Sequence, residues 1–445
     1  MLIALAAAPG LPAGYVFDDI PDIAANPAAT PAGFVRALPM TTRPVLKASY
    51  AAVAGLVDGG APAQRAVNVA LHLAATLLVL LVLSRLVPPQ ASGAARLAPV
   101  LGAAAWAVHP VVVETVTYVS GRSMGLSTVF LLGAFVLATG SRSRRTAIGA
   151  SVLAFLAPLA RETALLLPAL LALWQLTVAP RERPRSILRR HLPAWLGTLA
   201  AALTLALMPR HRDLVAFSLR ARDPLEALLG NVHAISTMLS MWAFPWRISI
   251  DPAPPDVYAW TEFPTLWRLG TGVTSIVLVW VLRTRAPVAA FALGWTLLSL
   301  LPTNSIIWRV DPVGTRPLYL ASVGLAIVLV GVTTQAARAG RRVSRAWVAA
   351  MLVLIAALAW GSASRAEFYR DPVALWADAA AKAPEKARPR ANLGLAYLAV
   401  GNLDAAERAL KLAIDLEPWD REARCALDAV HIRRTVTAMT EEASP

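Results

Sequence analysis

Apolar stretches of roughly 15 to 22 residues recur along the first 364 residues, separated by short polar segments. They lie at about 67–87, 97–118, 122–140, 146–160, 162–179, 191–208, 227–244, 267–283, 286–302, 318–335 and 346–362. Each is long enough, or nearly so when tilted, to cross ~30 Å of hydrocarbon as a helix. The pattern predicts an all-α fold in which residues 1–364 form a polytopic transmembrane bundle of about 10–11 helices.

The hydrophobic period changes after Arg365. Small and apolar residues then follow the spacing of a tetratricopeptide repeat, at Leu393, Gly394, Tyr397, Gly401, Ala406, Leu410, Ala413 and Pro418. Pro384 lies 34 residues before Pro418, so DPVALWADAAAKAP is predicted to be the second helix of a preceding repeat. Residues 365–445 are therefore predicted to form a second domain, an array of tetratricopeptide repeats stabilised by stacking.

Charges in the first 364 residues are unevenly distributed. This part holds 30 basic and 14 acidic side chains, and five segments contain 16 of the basic residues and one acid, Glu182. Those segments are the link with Arg85 and Arg96, and residues 141–145, 181–190, 283–285 and 338–345. Short loops rich in Lys and Arg stay cytoplasmic. The outward side is then predicted to hold residues 14–66, the turns near 119 and 161, residues 245–266 and 303–317, and the array.

Two segments depart from this simple topology. The opening MLIALAAAPGLPA has 13 residues, too few to cross a bilayer, and lacks the basic start and cleavage site of a signal peptide. We interpret it as the remnant of a first transmembrane helix after a truncated gene start. Counting crossings back from the C-terminus leaves one apolar segment too many between 191 and 245, so one segment there is predicted to be re-entrant or interfacial.

Composition excludes several classes of protein. The chain is 57% hydrophobic and 16% charged, and its single cysteine, Cys425, rules out an intrachain disulfide. The net charge of +15 lies in the apolar part and not on a soluble face, which argues against a nucleic-acid partner. No Cys/His cluster has the spacing of a metal site.

Adjacent carboxylates at Asp18 and Asp19 open the first outward loop, in GYVFDDIPDI. Such a pair repels, so each must be solvated, paired or protonated. One interpretation is an ordinary polar loop above the membrane. The alternatives are a general base that takes a proton from a hydroxyl, or a ligand for a divalent cation that neutralises a phosphate, and the spacing does not separate them.

Two outward turns carry further polar residues. His109 and Glu114 close one apolar segment and Arg122 opens the next. Arg161 and Glu162 repeat this pattern at the following outward turn. These side chains either line a shared polar cavity or serve as helix caps and structural ion pairs.

A third group precedes the apolar run at 318–335 and contains Asp311, Arg316 and Tyr319. A guanidinium suits the phosphate of a lipid-linked donor, and snorkelling at a helix end is the alternative role for Arg316. Asn68 and His72, four residues apart, either face the same cavity or form a buried hydrogen bond between helices.

Taken in order, these motifs resemble a known family. The chain carries FDD at 17–19, RPV at 43–45, NVALH at 68–72, HPVVVETV at 109–116, GR at 121–122, RET at 161–163, RPLYLASVG at 316–324, and the repeats last. This order is similar to the GT-C glycosyltransferases, most closely the transmembrane and tetratricopeptide-repeat-containing O-mannosyltransferase-like proteins. The resemblance runs from about Tyr15 to Arg434, although Arg161 stands where such proteins more often carry lysine.

The resemblance implies an inverting enzyme of a bacterial inner membrane. It would transfer a mannose-like sugar from a polyprenyl phosphate to an acceptor hydroxyl outside the cytoplasm, with a protein Ser or Thr as the acceptor and the repeats as its binding surface. An acidic residue of the first outward loop serves as base, a role that falls on Asp18 or Asp19. By the same resemblance the substrate cavity would be lined by His109, Glu114, Arg122, Arg161 and Glu162, with Arg316 and Tyr319 near the lipid phosphate. A requirement for a divalent cation stays open.

Two other classes of protein are compatible with parts of this pattern. A transporter also carries intramembrane charges, but it tends to show paired repeats with broken helices, and the membrane part shows no internal repeat. A catalytically degenerate scaffold would bind proteins through the repeats and leave the outward acids without a role.

Overall fold

The computed structural model describes residues 2–57, 60–140, 143–179, 183–221, 223–303 and 311–442. Within them the protein is all-helical, with 83% helix and no strands. The all-α fold class is thus confirmed. Parts of the predicted basic segments at 141–145 and 181–190, including Glu182, lie outside the described residues, as do residues 304–310 of the predicted outward loop.

The α-helices of the described residues are numbered here in chain order. The first 364 residues contain α1 Leu2–Ala7, α2 Pro31–Ala37, α3 Pro44–Leu56, α4 Gly60–Ser84, α5 Ala94–Ala107, α6 Val113–Thr117, α7 Arg122–Thr139, α8 Arg144–Ala160, α9 Leu167–Thr177, α10 Pro184–Leu207, α11 Pro209–Ala221, α12 Pro224–Ala243, α13 Phe263–Arg285, α14 Pro287–Leu300, α15 Arg316–Ala321, α16 Val323–Arg338 and the start of α17 Arg341–Glu367. The remaining helices are α18 Pro372–Lys382, α19 Ala387–Ala399, α20 Leu403–Leu416 and α21 Arg421–Glu442.

Several helices have the length and composition of membrane spans. Five described segments meet both conditions, at Gly60–Ser84, Val119–Thr139, Phe263–Arg285, Arg316–Arg338 and Arg341–Arg370. Two bent pairs, α5 with α6 and α10 with α11, raise the number to seven if each pair is one span. The protein therefore has the character of a membrane protein. The larger number of about 10–11 spans expected from the sequence goes beyond what helix length and composition show.

Aromatic side chains fill the centre of the apolar core between α7, α9 and α14. The rings of Phe135 and Trp295 meet edge to face at 5.5 Å, and those of Trp174 and Phe291 meet at 5.4 Å. The indole N–H of Trp295 donates to the carbonyl of Leu320 at 2.9 Å, so this buried polar atom is satisfied. Such packing gives the bundle a rigid middle from which turns emerge at both ends.

The two ends of the bundle carry different charges. Helix α7 has 18 residues and is about 27 Å long. Just before the helix starts, Ser120 donates a hydrogen bond to Asp19. At the last residue of the helix, the hydroxyl of Thr139 accepts a hydrogen bond from Arg85. We call these the acidic end and the basic end.

Helix α11 starts at the acidic end. The His211 ring bonds to the carbonyl of Thr42 and lies 3.8 Å from the Glu162 carboxylate. α11 turns away from α10 by 78°, and α12 is not among the described helices that meet the criteria for a span. This geometry fits the expectation that one segment between 191 and 245 does not cross.

The helices after the bundle pack in chain order, each of α18 to α21 against the next. Gly394 on α19 allows close contact with α20, because a Cβ there would lie 2.5 Å from Leu410 Cγ. α17 continues without interruption through residues 364 and 365, the boundary expected between the two domains. One long helix thus connects the bundle to the array.

Candidate active site

Asp19 lies buried at the acidic end, between the first loop and the turn before α7. Its side chain is fully buried. Oδ1 accepts from the N–H and the hydroxyl of Ser120, each at 2.7 Å, and Oδ2 accepts from the N–H groups of Val16 and Val119 at 3.4 Å. Burial raises the pKa of Asp19, and the hydrogen bonds from Ser120 and Val16 act against that rise. All of its acceptor capacity is used to join the first loop to the turn before α7.

Asp18 has a different environment from its neighbour. Its side chain is 40% exposed, and Oδ2 lies 3.4 Å from Nη2 of Arg316. Its backbone N–H donates to the Tyr118 hydroxyl at 2.9 Å. Phe17, just before it, has a φ of +48°, a conformation that is strained for a bulky side chain. This strained turn lets the Asp19 carboxylate point inward while the Asp18 carboxylate remains accessible.

Arg316 connects Asp18 to Glu114 at the first residue of α15. Its Nε donates to Oε1 of the buried Glu114 at 2.8 Å, and the Thr315 hydroxyl donates to the other carboxylate oxygen. The guanidinium lies over the Tyr118 ring, 4.9 Å from its centroid. Nη1 has no hydrogen-bond partner within the described part of the chain, and the side chain is 25% exposed. One edge of the guanidinium is therefore free to bind an anion.

Arg65 on α4 holds the backbone on both sides of this site. The side chain is fully buried and donates to the carbonyls of Ala13, Gly14 and Thr117, the last at 2.6 Å. Arginine can satisfy several carbonyls at once because its donors form a rigid fork. The segment that leads to Asp18 and the turn that carries Tyr118 are thus fixed to one helix.

Gly121 allows the turn before α7 to fold back onto the residues that carry Glu114. A Cβ at this position would lie 2.6 Å from the Glu114 carbonyl oxygen and 2.8 Å from Thr115 Cα, both backbone atoms. Gly121→Ala is expected to destabilise the protein by about 1–3 kcal/mol through overpacking, and to lower activity by displacing Glu114. Thermal unfolding of the detergent-purified protein measures the first effect. Gly125→Ala is the control, since its Cβ meets nothing closer than 3.6 Å. Equal midpoints for both variants would contradict this account.

A second charged group at the acidic end contains a residue that the sequence analysis did not select. Arg43, in the RPV motif, donates from Nε and Nη2 to the Glu162 carboxylate at 3.0 Å each. The Glu162 charge raises the pKa of Arg43, while burial and the charge of Arg316 act against that rise. Arg161, the residue before Glu162, is instead buried and donates to the Ser123 hydroxyl at 3.0 Å. Glu162 thus faces the site and Arg161 faces the bundle.

The remaining candidates from the sequence are buried in structural contacts. His109 caps the turn at Pro110 by accepting from the Val111 N–H at 3.1 Å. Arg122 donates to the Asn68 side chain at 2.9 Å and stacks on Tyr50. The Tyr319 hydroxyl bonds to His72 at 2.7 Å, and its ring contacts Trp106. Asn68 and His72 thus form buried hydrogen bonds, which is one of the two roles that the sequence left open for them. Glu114 pairs with Arg316 and not with Arg122, which is nearer to it in the sequence.

The array contacts the loops of the acidic end directly. Arg388 donates from Nε to Asp251 at 2.8 Å and from Nη1 to Asp311 at 3.0 Å, and Lys386 contacts the same two carboxylates. The hydrogen bonds that Arg388 donates to Asp251 raise its pKa despite its partial burial. The Arg388 guanidinium also lies 5.5 Å from the centroid of the Phe17 ring, next to Asp18. The array and the candidate site are therefore parts of one contact network.

Metal binding was left open by the sequence. In the described residues no group of three His, Cys, Asp or Glu side chains has the arrangement of a metal site. Asp18 and Glu114 each contact the Arg316 guanidinium instead.

Comparisons of the chain with protein-family models, with curated proteins and with solved structures find no match.

Proposed function

We propose that the protein is a GT-C type membrane glycosyltransferase that moves a sugar from a polyprenyl phosphate to an acceptor hydroxyl. The observation that carries the proposal is the different environment of two adjacent carboxylates. Asp19 is buried in four hydrogen bonds, whereas Asp18 is accessible beside a guanidinium with a free edge. A general base must reach the hydroxyl that it deprotonates, and only Asp18 of this pair meets that condition.

The proposed reaction is a single displacement at the anomeric carbon of the donor. The acceptor oxygen attacks that carbon while its proton passes to the Asp18 carboxylate. The bond between the anomeric carbon and the phosphate oxygen breaks, and the electron pair leaves with the polyprenyl phosphate. Attack from the opposite face inverts the configuration. Nη1 of Arg316 donates to the phosphate of the donor and keeps that contact as the polyprenyl phosphate leaves.

Glu114 orients the arginine in this scheme. Its carboxylate binds Nε of Arg316 and the Thr315 hydroxyl, so the guanidinium has one preferred direction. Tyr118 supports it from below through ring contact and also accepts from the Asp18 N–H. Base and phosphate ligand are thereby positioned before substrate binds, which lowers the cost of reaching the transition state.

The array is proposed to be a set of tetratricopeptide repeats that bind a protein acceptor. The support is the 34-residue spacing of Pro384 and Pro418 and the close contact of Gly394 with Leu410. A cavity of about 250 Å³ lies next to the contact between the array and the loops. It is lined by Pro252, Ala253, Pro254, Asp311, Pro312, Val313, Lys386, Arg388 and Glu417. An acceptor polypeptide bound there would lie near the site. The excess of Lys and Arg in the basic segments supports an orientation in which this end faces outward from the cytoplasm, in a bacterial inner membrane.

Purified protein in nanodiscs tests the proposal when it is given a polyprenyl-phosphate-linked mannose and a peptide rich in Ser and Thr. The expected result is glycopeptide of inverted anomeric configuration with release of an equal amount of polyprenyl phosphate. Glucose- and galactose-linked donors in parallel assays identify the sugar. A protein that consumes none of these lipid donors, while a nucleotide sugar is consumed, would contradict the proposal.

A further inference from the structure

A cavity of about 950 Å³ opens at the basic end of the bundle, between the end of α7 and the starts of α8 and α10. Its lining contains four arginines together with small polar and apolar side chains, namely Leu137, Ala138, Ser143, Thr146, Ala147, Ala150, Arg183, Arg185, Ser186, Arg189 and Arg190. No acidic residue is among the described lining residues. The cavity therefore has a strongly positive wall and an apolar wall.

Three arginines of this lining are exposed and have no acidic partner in the part of the chain that the structure describes. They are Arg183, just before α10, and Arg185 and Arg189 in its first turns. Burial lowers the pKa of Arg85, which follows the last residue of α4. The nearby positive charge of Arg190 lowers it further. Like charges gathered in this way create a positive potential that attracts anions.

The position of the cavity indicates what kind of anion binds. It lies at the ends of α7 and α10, both of which belong to candidate membrane spans. Phosphate head groups occupy this level of a bilayer, and basic pockets between membrane helices bind anionic lipids. The arginines suit the phosphate oxygens, and Leu137, Ala138, Ala147 and Ala150 offer an apolar surface to an acyl chain. A soluble phosphate would contact the arginines but would leave the apolar side chains of the lining without a partner.

The site is separate from the candidate active site. Helix α7 extends from the turn that binds Asp19 to the cavity, a distance of about 27 Å for its 18 residues. A donor with its phosphate at Arg316 cannot reach Arg183 with the same phosphate. A molecule bound in this cavity would therefore be distinct from a donor bound at Arg316.

We propose that this cavity binds the head group of an anionic phospholipid, with Arg183, Arg185 and Arg189 as ligands of its phosphate. The lipid then neutralises the basic end and joins α8 to α10. The proposal does not depend on the sugar-transfer function, because it concerns different residues and a different end of the bundle.

Lipid binding to the full-length protein in detergent micelles, measured by native mass spectrometry, tests this proposal. The probes are phosphatidylglycerol, phosphatidylcholine and inorganic pyrophosphate. Each basic side chain at a membrane surface contributes about fivefold to anionic-lipid binding, so Arg183→Gln with Arg185→Gln and Arg189→Gln should weaken phosphatidylglycerol binding about 100-fold. The matched control replaces three exposed arginines in the first turns of α17, by Arg341→Gln, Arg342→Gln and Arg345→Gln.

Retention of phosphatidylglycerol by the wild type and the control, with loss in the α10 variant and weak binding of phosphatidylcholine, is the expected result. Equal loss in both triple variants would show a diffuse charge effect and overturn the site. Pyrophosphate that displaces the lipid completely at equal concentration would overturn the assignment to a lipid and leave a soluble anion as the ligand. Unchanged binding by the α10 variant would overturn the whole proposal.

Discussion

Asp18→Asn is expected to lower the rate of sugar transfer about 10²–10⁴-fold, the usual contribution of a general base. The substitution keeps the size of the side chain and removes its ability to take a proton. Asp18 is partly exposed, and among the described residues its one ion pair is a 3.4 Å contact with Arg316, so the fold should tolerate the change. The measurement is kcat with saturating lipid donor, alongside donor affinity and the thermal midpoint. Donor affinity and midpoint should stay close to those of the wild type.

Asp19→Asn is the matched control, one residue away. An amide there would present N–H groups to the Val16 and Val119 N–H donors that now face a carboxylate oxygen, so about 2–3 kcal/mol of stability should be lost. The two variants thus separate chemistry from folding. If Asp19→Asn folded normally and lost turnover while Asp18→Asn remained active, the base would be Asp19. A double variant with full turnover would show that neither carboxylate is the base.

The positions of the helices follow from the sequence because they depend on local patterns. Each of the apolar runs listed from the sequence falls on one helix or on two consecutive helices, since a long apolar stretch in a bilayer must satisfy its own backbone groups. The run at 97–118 is where local reasoning fails. His109 and Pro110 break it into α5 and α6, which differ in direction by 53°. Hydropathy reports the length of an apolar run, but a bend arises from one capping residue.

The composition of the candidate site was only partly predictable. Asp18, Glu114 and Arg316 are all in outward segments by charge distribution, but Glu114 and Arg316 are 202 residues apart, and no local pattern indicates that they pair. Tyr319, three residues after Arg316, was expected near the lipid phosphate, but its hydroxyl bonds to His72 in the core. Arg43 was visible only as part of the RPV motif, and its partner Glu162 lies 119 residues away.

The contact between the array and the bundle also required the tertiary structure. Composition alone shows a nearly neutral C-terminal part with 12 basic and 13 acidic residues, which suggests an independent domain. The structure instead directs Arg388 to Asp251 and packs Trp376 against Phe17, with ring centroids 5.2 Å apart. Removing the array would expose Phe17, next to the proposed base. Loss of activity in a truncated chain would therefore not by itself demonstrate a role in acceptor binding.

Arg316→Lys is expected to raise the apparent KM for the lipid-linked donor about tenfold or more, with a smaller change in kcat. A hydrogen bond to a charged group contributes about 1.5–3 kcal/mol, which corresponds to about a 10- to 150-fold change in affinity. Lysine keeps the positive charge between Glu114 and Asp18, so neither carboxylate loses its counter-ion. It lacks the planar fork that lets arginine bind Glu114 through Nε while Nη1 faces the phosphate.

Steady-state kinetics with varied donor at saturating acceptor, and then the reverse, measure this effect. Arg370→Lys is the control, because the ion pair of Arg370 in the described part of the chain is an exposed one, with Glu367 three residues away. A donor KM that rises in Arg316→Lys alone, with the acceptor KM unchanged, supports phosphate binding by the guanidinium. A fall in kcat with the donor KM unchanged would instead mean that Arg316 only positions Asp18 and Glu114. The phosphate ligand would then have to be another cation at the acidic end, and Arg43, whose charge already acts on Arg316, is the residue to test next.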